Sequence, residues 1–398
     1  MTTLTFRRTE QEPTSRTRAG MSTLPRTGPG QPAPTGHGRP PVAEPAQPLR
    51  HLAPNWFAVV MGTGIVGNAA ATLPLRVPGL HAAATAVWAL AALLLLTLLG
   101  AWALHWRRYP DSARGHGSNP VMMQFYGALP MALLTVGAGA LMLGKDVIGL
   151  GAALTLDWVL WSAGTLIGLI TAAAIPYRMI TRHRFDADSA FGGWLMPVVP
   201  PMVSAATGAL LIPHLPAGQA RLTMFFACLA MFGLSLIAAI VMITLIWSRL
   251  LHHGLPAAGM VATVWLVLGP LGQSVTAAGM LAAAAPTALP DRDSAGMDVF
   301  SLVFGVPTWG FAMLWLALAV AVTAHARKSM PFNLTWWGFT FPLGTCVTGS
   351  SVLFAHTGAD LFAVIAVALY ALLVASWGVV AIRTVRGLLN GELLAPAR

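Results

Sequence analysis

The sequence predicts an all-α polytopic membrane protein, in which ten transmembrane helices form five helical hairpins around a central pore. Three observations lead to this prediction: the composition, ten apolar segments of membrane-spanning length, and a regular difference between odd and even segments. Of the 398 residues, 56% are hydrophobic and only 9% are charged. A soluble domain carries about 25% charged residues, so lipid must be the solvent for most of this chain.

Ten segments have the length that a membrane span requires. A helix needs about 20 mostly apolar residues to cross the hydrocarbon core of a bilayer. The loops between the segments are short, which favours antiparallel neighbours in one bundle. The segments cover residues 55–73, 80–104, 120–143, 149–175, 191–212, 222–247, 259–284, 299–323, 335–354 and 361–382.

The two ends of the chain differ from the apolar region. Residues 1–50 are rich in Pro, Gly, Thr and Arg and contain no apolar run, which predicts a disordered tail without a signal peptide. We assign residues 51–387 to one ten-helix transmembrane domain and residues 388–398 to a second tail.

The charge of the loops predicts the orientation. The connections that follow even segments carry "HWRR", "YRMITRHR", "SRLLHH" and "HARK", whereas the other connections carry few basic residues. By the positive-inside rule both termini are cytoplasmic, in a multi-pass protein of the plasma membrane. The net charge of +10 is spread over the tail and the loops, so it indicates no nucleic-acid surface.

Odd and even segments differ in helix breakers and in polar residues. Even segments are straight Leu/Ala/Val stretches, with Pro307 as the nearest exception, whereas each odd segment contains Pro or several Gly together with uncharged polar residues. This alternation predicts five bent inner helices and five outer helices that face lipid. The predicted kinks are at Pro130, Pro197, Pro200, Pro270 and Pro342. The candidate pore-lining residues are Gly62, Thr63, Gly64, Gln124, Thr135, Ser204, Thr207, Gln273, Thr276 and Thr345.

The apolar segments contain almost no ionisable residues. Asp157, in the fourth segment, is interpreted as a buried or interfacial carboxylate on an outer helix rather than as a proton carrier. No motif for catalysis, for a metal or for a cofactor is present, so an enzyme is not expected. A lining of backbone, hydroxyls and aromatic rings without carboxylates suits anions better than cations.

Three stretches resemble the tellurite-resistance/C4-dicarboxylate transporter (TDT) family. They are "NWFAVVMGTGIVG", "WLMPVVPPMVSAATGALL" and "NLTWWGFTFPLGT". This family includes bacterial TehA proteins, yeast malate permease and sulfite efflux pump, and the slow anion channels of plant guard cells. The resemblance spans residues 54–386. It implies a homotrimer whose protomers each have a pore plugged by a phenylalanine, at the position of Phe341 here, with Phe339 as the fallback.

Several alternatives remain open from the sequence. Phe341 could be an ordinary core residue, since aromatic side chains often simply pack. The favoured function is a gated channel for small anions. The alternatives are a proton-coupled carrier for C4-dicarboxylates such as malate or for sulfite, a tellurite-resistance efflux protein, and a membrane scaffold or sensor whose tail binds a partner. The expected partners are the small anion and the lipid bilayer.

Overall fold

The computed structural model describes residues 48–75 and 77–394, and within these ranges the chain forms helices and no β-strand. Most of the predicted disordered tail, residues 1–47, lies outside the described part, as do the last four residues. The described α-helices are α1 (Phe57–Thr72), α2 (Leu80–Arg108), α3 (Pro110–Ser118), α4 (Ala128–Gly139), α5 (Lys145–Ile148), α6 (Leu150–Arg182), α7 (Pro200–Leu211), α8 (Gln219–His253), α9 (Leu268–Ala288), α10 (Asp291–Ala326), α11 (Phe341–Thr357) and α12 (Asp360–Leu389).

Eight helical segments are long and apolar enough to cross a membrane. They are Leu80–Arg108, Met122–Ile148, Leu150–Arg182, Gln219–His253, Ala258–Ala288, Asp291–Ala326, Leu334–Thr357 and Asp360–Leu389. The predicted polytopic all-α membrane protein is therefore confirmed. The predicted first and fifth spans correspond to the shorter helices α1, of 16 residues, and α7, of 12 residues, so the count of ten stays a prediction.

The helices fall into two groups by burial. In the most apolar eighteen residues of α2, α6, α8, α10 and α12, 22–33% of the residues are buried, against 83–89% in the spans that contain α4, α9 and α11. Nearly all residues of α1 and α7 are buried as well. We call α1, α4, α7, α9 and α11 the inner helices and the other five the outer helices. Apolar residues exposed on the outer helices suit lipid.

Contacts between the inner helices close into a cycle. Helix α1 contacts α4, α4 contacts α7, α7 contacts α9, α9 contacts α11, and α11 contacts α1. Each outer helix packs on the inner helix next to it in the chain, as α2 does on α1 and α12 does on α11. The inner group therefore surrounds a common axis, and the outer group shields it.

Two outer helices contain a proline inside the helix, whereas the sequence predicted Pro307 as the one near-exception. Pro176 lies inside α6, because this helix continues to Arg182, past the predicted end of the span at residue 175. Pro307 lies well inside α10, which begins as early as Asp291. Both helices continue through their prolines, since neighbouring groups can satisfy the freed backbone in a membrane protein.

Side chains of the outer helices donate hydrogen bonds to the inner segments. The Trp88 indole on α2 donates to the Val136 carbonyl at 3.0 Å, and Trp161 on α6 donates to the Ser204 carbonyl at 3.0 Å. Ser235 on α8 donates to the Val198 carbonyl at 2.7 Å, and Trp315 on α10 donates to the Val264 carbonyl at 2.9 Å. Val198 and Val264 lie in non-α-helical backbone, so these donors satisfy carbonyls that lipid could not.

Helices α9 and α11 pack closely along their length, and glycines allow their approach. A Cβ atom at Gly272 would lie 2.6 Å from the Cys346 amide nitrogen, and one at Gly349 would lie 3.0 Å from the Gly272 carbonyl oxygen. The Thr276 and Thr348 hydroxyls bind each other at 2.7 Å across the same contact. Small residues and hydroxyls of this kind drive helix association in lipid.

This contact predicts the effect of a single methyl group. We expect Gly272→Ala to destabilise the protein by about 1–3 kcal/mol, because the new Cβ meets the α11 backbone and the two helices must separate. Gly378→Ala on the outer helix α12 is the matched control, since a Cβ there has open space around it. Thermal unfolding in the same detergent measures both, and equal midpoints for the two variants would contradict the tight packing.

Candidate functional site

The inner segments change helix type near their prolines. A 3₁₀ stretch, Leu334–Phe339, precedes α11, whose second residue is Pro342. Likewise Ala258–Val267 precedes α9, whose third residue is Pro270. In the first turn of an α-helix the amide has no partner four residues back, so a proline removes no hydrogen bond there.

The other predicted kink positions follow the same arrangement. Pro130 is the third residue of α4, after the 3₁₀ stretch Met122–Gly127. Pro200 is the first residue of α7, and Pro197 lies in the turn between this helix and the 3₁₀ stretch Gly192–Leu195. The prolines thus mark where α-helix begins, instead of interrupting a continuous α-helix as the sequence suggested.

Two cavities lie along the axis of the inner helices. The first, which we call the polar cavity, has a volume of about 60 Å³ and is lined by residues of α1, α4, α7, α9 and α11. The second, the apolar cavity, has a volume of about 10 Å³ and is lined by residues of the same five inner segments. The apolar cavity is bounded by Met, Leu, Val, Gly, Pro and Phe.

The two cavities follow one another along the helices. On four inner segments a residue of the apolar cavity precedes one of the polar cavity by four positions, which is about one helical turn. These pairs are Met61 and Ile65, Met131 and Thr135, Val199 and Val203, and Gly269 and Gln273.

Phe341 lies between the two cavities. It is the first residue of α11, is only 3% exposed, and belongs to the walls of both cavities. The fallback residue Phe339 lies elsewhere: its ring contacts those of Trp265 and Trp336 edge-on, with centroids 5.1 and 5.6 Å away. The structure therefore puts Phe341, and not Phe339, at the boundary between the cavities.

The ten candidate pore-lining residues divide into two groups. Four line the polar cavity, namely Thr135, Thr207, Gln273 and Thr276. The other six lie outside the walls of both cavities. They are Gly62, Thr63, Gly64, Gln124, Ser204 and Thr345.

Three of these six form polar contacts within or between helices. Thr63 accepts a hydrogen bond from the Trp377 indole at 3.2 Å, and Ser204 accepts one from the Thr165 hydroxyl at 2.9 Å. The Thr345 hydroxyl donates to the Pro342 carbonyl at 2.6 Å. These groups hold helices together, which is the commoner use of polar side chains in a membrane.

The remaining three also lie against protein. Gly62 faces Trp337 and Thr340, and Gly64 faces the Thr135 side chain. Gln124 is fully buried, and its amide nitrogen donates to the Pro120 carbonyl at 3.2 Å.

Sequence reasoning missed Asn68, which lies on the wall of the polar cavity. Its amide nitrogen donates to the Thr135 carbonyl at 2.9 Å. The Thr135 carbonyl precedes a π-helical turn, Ala140–Gly144, that follows α4. Turns of this type often occur at functional sites. The sequence did contain a signal for this residue, because Asn68 is the one amide side chain in the mostly apolar helix α1.

Charge is absent from the walls of the two cavities, whose described residues include no acidic, basic or histidine side chain. Helices α7 and α11 begin beside the apolar cavity, where Val199 and Phe341 line its wall. The N-terminus of an α-helix carries a partial positive charge. The electrostatic environment of the two cavities is thus neutral to weakly positive.

Asp157 lies outside both cavities. It is fully buried on α6 and faces α4, where a Cβ at Gly137 would lie 2.6 Å from its Oδ1. Neither carboxylate oxygen has a hydrogen-bond partner among the described residues. An unpaired carboxylate at such a position is costly when charged.

A bundle of apolar helices that encloses two cavities along a common axis is typical of a membrane transport protein. A family model described as voltage-dependent anion channel (SLAC1) matches residues 51–385. The chain belongs to this family, as the resemblance predicted, and the family consists of channels and transporters and not of enzymes.

Characterised and uncharacterised relatives match most of the chain. An uncharacterized transporter of Methanocaldococcus jannaschii is 29% identical over 87% of this chain and 96% of its own length. The sulfite efflux pump SSU1 of Trichophyton rubrum is 28% identical over 76% of this chain and 82% of its own length. A malic acid transport protein of Schizosaccharomyces pombe is 22% identical over 75% of this chain and 69% of its own length.

The position of Asp157 predicts a small effect on transport. We expect Asp157→Asn to keep anion flux within about twofold of wild type, because no group that lines either cavity is lost. Flux into liposomes at several pH values measures this, with Asp188→Asn in the exposed turn after α6 as the control. A pH dependence that disappears only in Asp157→Asn would identify this carboxyl as a proton carrier instead.

Proposed function

We propose that this protein conducts small anions across the membrane through a pore that Phe341 closes. The observation that carries the proposal is the position of Phe341 in the walls of both cavities, each of which is built by all five inner segments. A ring at this point blocks the axis while it stays in place. Rotation of the ring, or a shift of α11, would join the two cavities into one passage.

The proposed architecture has ten membrane spans, arranged as five hairpins around this pore. The closed cycle of inner-helix contacts supports it, and so does the burial of α1 and α7, which are too short to be recognised as spans by length alone. The basic loops orient both termini, with the tail of residues 1–50, toward the cytoplasm. In this orientation the apolar cavity lies on the cytoplasmic side of Phe341, and the membrane is the plasma membrane.

The chemistry of the passage supports anions. Its walls contain hydroxyl and amide groups and no carboxylate, whereas cation pathways commonly carry acidic rings. The helix N-termini beside the apolar cavity add weak positive potential. The substrate class is small inorganic anions, or sulfite and C4-dicarboxylates such as those named for the fungal relatives.

A proton-coupled carrier for malate or sulfite is the second candidate. The names of the fungal relatives favour it. Such a carrier needs a group that binds the coupled proton, and the walls of the two cavities offer no titratable side chain. A channel requires no such group, so we rank it first.

The gate is tested by removing the ring. We expect Phe341→Ala to raise the anion current by roughly tenfold or more, which requires removal of only about 1.4 kcal/mol from the barrier. Planar bilayers with chloride, nitrate, sulfite or malate on one side measure the current. Phe339→Ala is the matched control, because the same truncation there removes a ring that touches neither cavity.

A Phe341→Ala variant without increased current would contradict the proposed gate. If Phe341→Ala inserts normally and conducts no more than wild type and Phe339→Ala, Phe341 does not close the passage. Transport that appears only as pH-dependent uptake of malate or sulfite would favour the carrier.

We also propose that the protein is a homotrimer, in which each protomer has its own pore. The family resemblance is the support, and closed rotational symmetry is usual for such assemblies. Native mass spectrometry from nanodiscs is expected to give three copies of the 398-residue chain. A monomeric or dimeric mass under conditions that preserve transport would contradict the trimer.

A further inference from the structure

The polar cavity holds a small set of hydrogen-bonding side chains, and most of their donors are already engaged. Seven polar residues line it: Asn68, Thr72, Thr135, Thr207, Gln273, Thr276 and Thr348. A permeating anion that has lost water needs donors from this wall, since anions accept hydrogen bonds. Which of the seven has a free N–H or O–H therefore decides where an anion can be bound.

The five threonines have acceptors on their own helices. The Thr135 hydroxyl donates to the Met131 carbonyl at 2.7 Å, and the Thr207 hydroxyl donates to the Val203 carbonyl at 2.9 Å. Thr72 donates to a carbonyl in the same way at 2.9 Å, as does Thr348 at 3.0 Å. Thr276 lies 3.0 Å from the Gly272 carbonyl.

The two amide side chains on this wall, Asn68 and Gln273, differ in whether they already form hydrogen bonds within the protein. The Asn68 amide nitrogen donates one of its two N–H groups to the Thr135 carbonyl, and its Oδ1 is sealed within the protein. Gln273 has no hydrogen bond to any described residue, although it is only 5% exposed. Its amide atoms are not among the sealed ones, and it lines the polar cavity, so the amide borders the cavity space.

The position of Gln273 along α9 places it next to the gate. It follows Gly269, a residue of the apolar cavity wall, by one turn, and it follows Gly272, the close contact with α11. The same cavity contains Phe341. An anion that reaches Phe341 from the polar side therefore passes the Gln273 amide.

We propose that Gln273 binds the permeating anion in the polar cavity and sets which anions pass. This inference rests on the proposed anion-conducting function. A neutral amide gives N–H donors without a fixed charge, which stabilises a monoanion enough to enter and still allows it to leave. A dianion loses more hydration on entry than one amide replaces, so the site favours monoanions such as nitrate over dianions.

The test uses substitutions in the full-length protein, each made in the wild type and with Phe341→Ala. Gln273→Met keeps the side-chain length and removes the donors, and Gln273→Glu keeps the shape and places a carboxylate in the cavity. Gln219→Met makes the same chemical change on an exposed residue at the start of α8. Currents carried by nitrate are compared with those carried by sulfite at alkaline pH, where the dianion predominates.

Binding is measured separately from conduction. Nitrate is titrated against thermal unfolding of each variant, since a ligand that binds only the folded protein raises its stability. We expect Gln273→Met to weaken nitrate binding by roughly tenfold or more, as loss of a hydrogen bond to a charged group does. We expect Gln273→Glu to abolish the anion current, and Gln219→Met to behave as wild type.

Each outcome decides a separate point. If Phe341→Ala conducts and Gln273→Met leaves both nitrate affinity and the preference for nitrate over sulfite unchanged, the inference about Gln273 is wrong and the gated channel remains. If Phe341→Ala does not conduct, the proposed gate fails, and nitrate binding alone decides on Gln273. Weaker binding in Gln273→Met than in Gln219→Met supports the inference, and equal binding overturns it. A misfolded Gln273→Met is replaced by Gln273→Leu.

Discussion

The packing of α9 against α11 is the contact on which the arrangement of the two cavities depends. Gly272 lets the α11 backbone approach, and the Thr276–Thr348 hydrogen bond fixes the register of the two helices. From this contact α11 presents Phe341, and α9 presents Gln273, to the same cavity. The positions of the proposed gate and of the proposed anion-binding amide are therefore set by one helix pair, and a shift of that pair would move both side chains together.

The membrane imposes a second constraint, because every backbone group needs a partner within the protein. The inner segments contain 3₁₀ and π stretches that leave carbonyls without the regular α-helical pattern. Side chains of the outer helices donate to carbonyls there, as Ser235 does to Val198 and Trp315 to Val264. The outer helices thus do more than face lipid. They stabilise irregular backbone near the axis, which allows a passage to be lined without charged residues.

The alternation of inner and outer helices could be predicted from the sequence, because helix breakers and hydroxyls recur on every second segment. The sequence could not predict which residues of an inner helix face the axis. An inner helix is buried on nearly all sides, so it lacks the amphipathic pattern that would indicate which face meets the axis. Gly64 and Ser204 were accordingly expected at the pore but lie against other helices, and Asn68 was missed. The 3₁₀ stretches that precede the inner α-helices could not be predicted from the sequence either. The choice of Phe341 over Phe339 rested on the family resemblance.

The most direct test of the proposed gate is whether Phe341 separates the two cavities for an anion in solution. Thr207, which is half-buried on the wall of the polar cavity, is replaced by cysteine, and sealed vesicles are treated with a sulfonate-bearing thiol reagent from either side. If Phe341 closes the pore, we expect this cysteine to react only with reagent added on the side of the polar cavity, and with reagent from both sides once Phe341→Ala is added. Cys228 and Cys346 are buried and give the background. Reaction from both sides while Phe341 is intact would contradict the proposed gate.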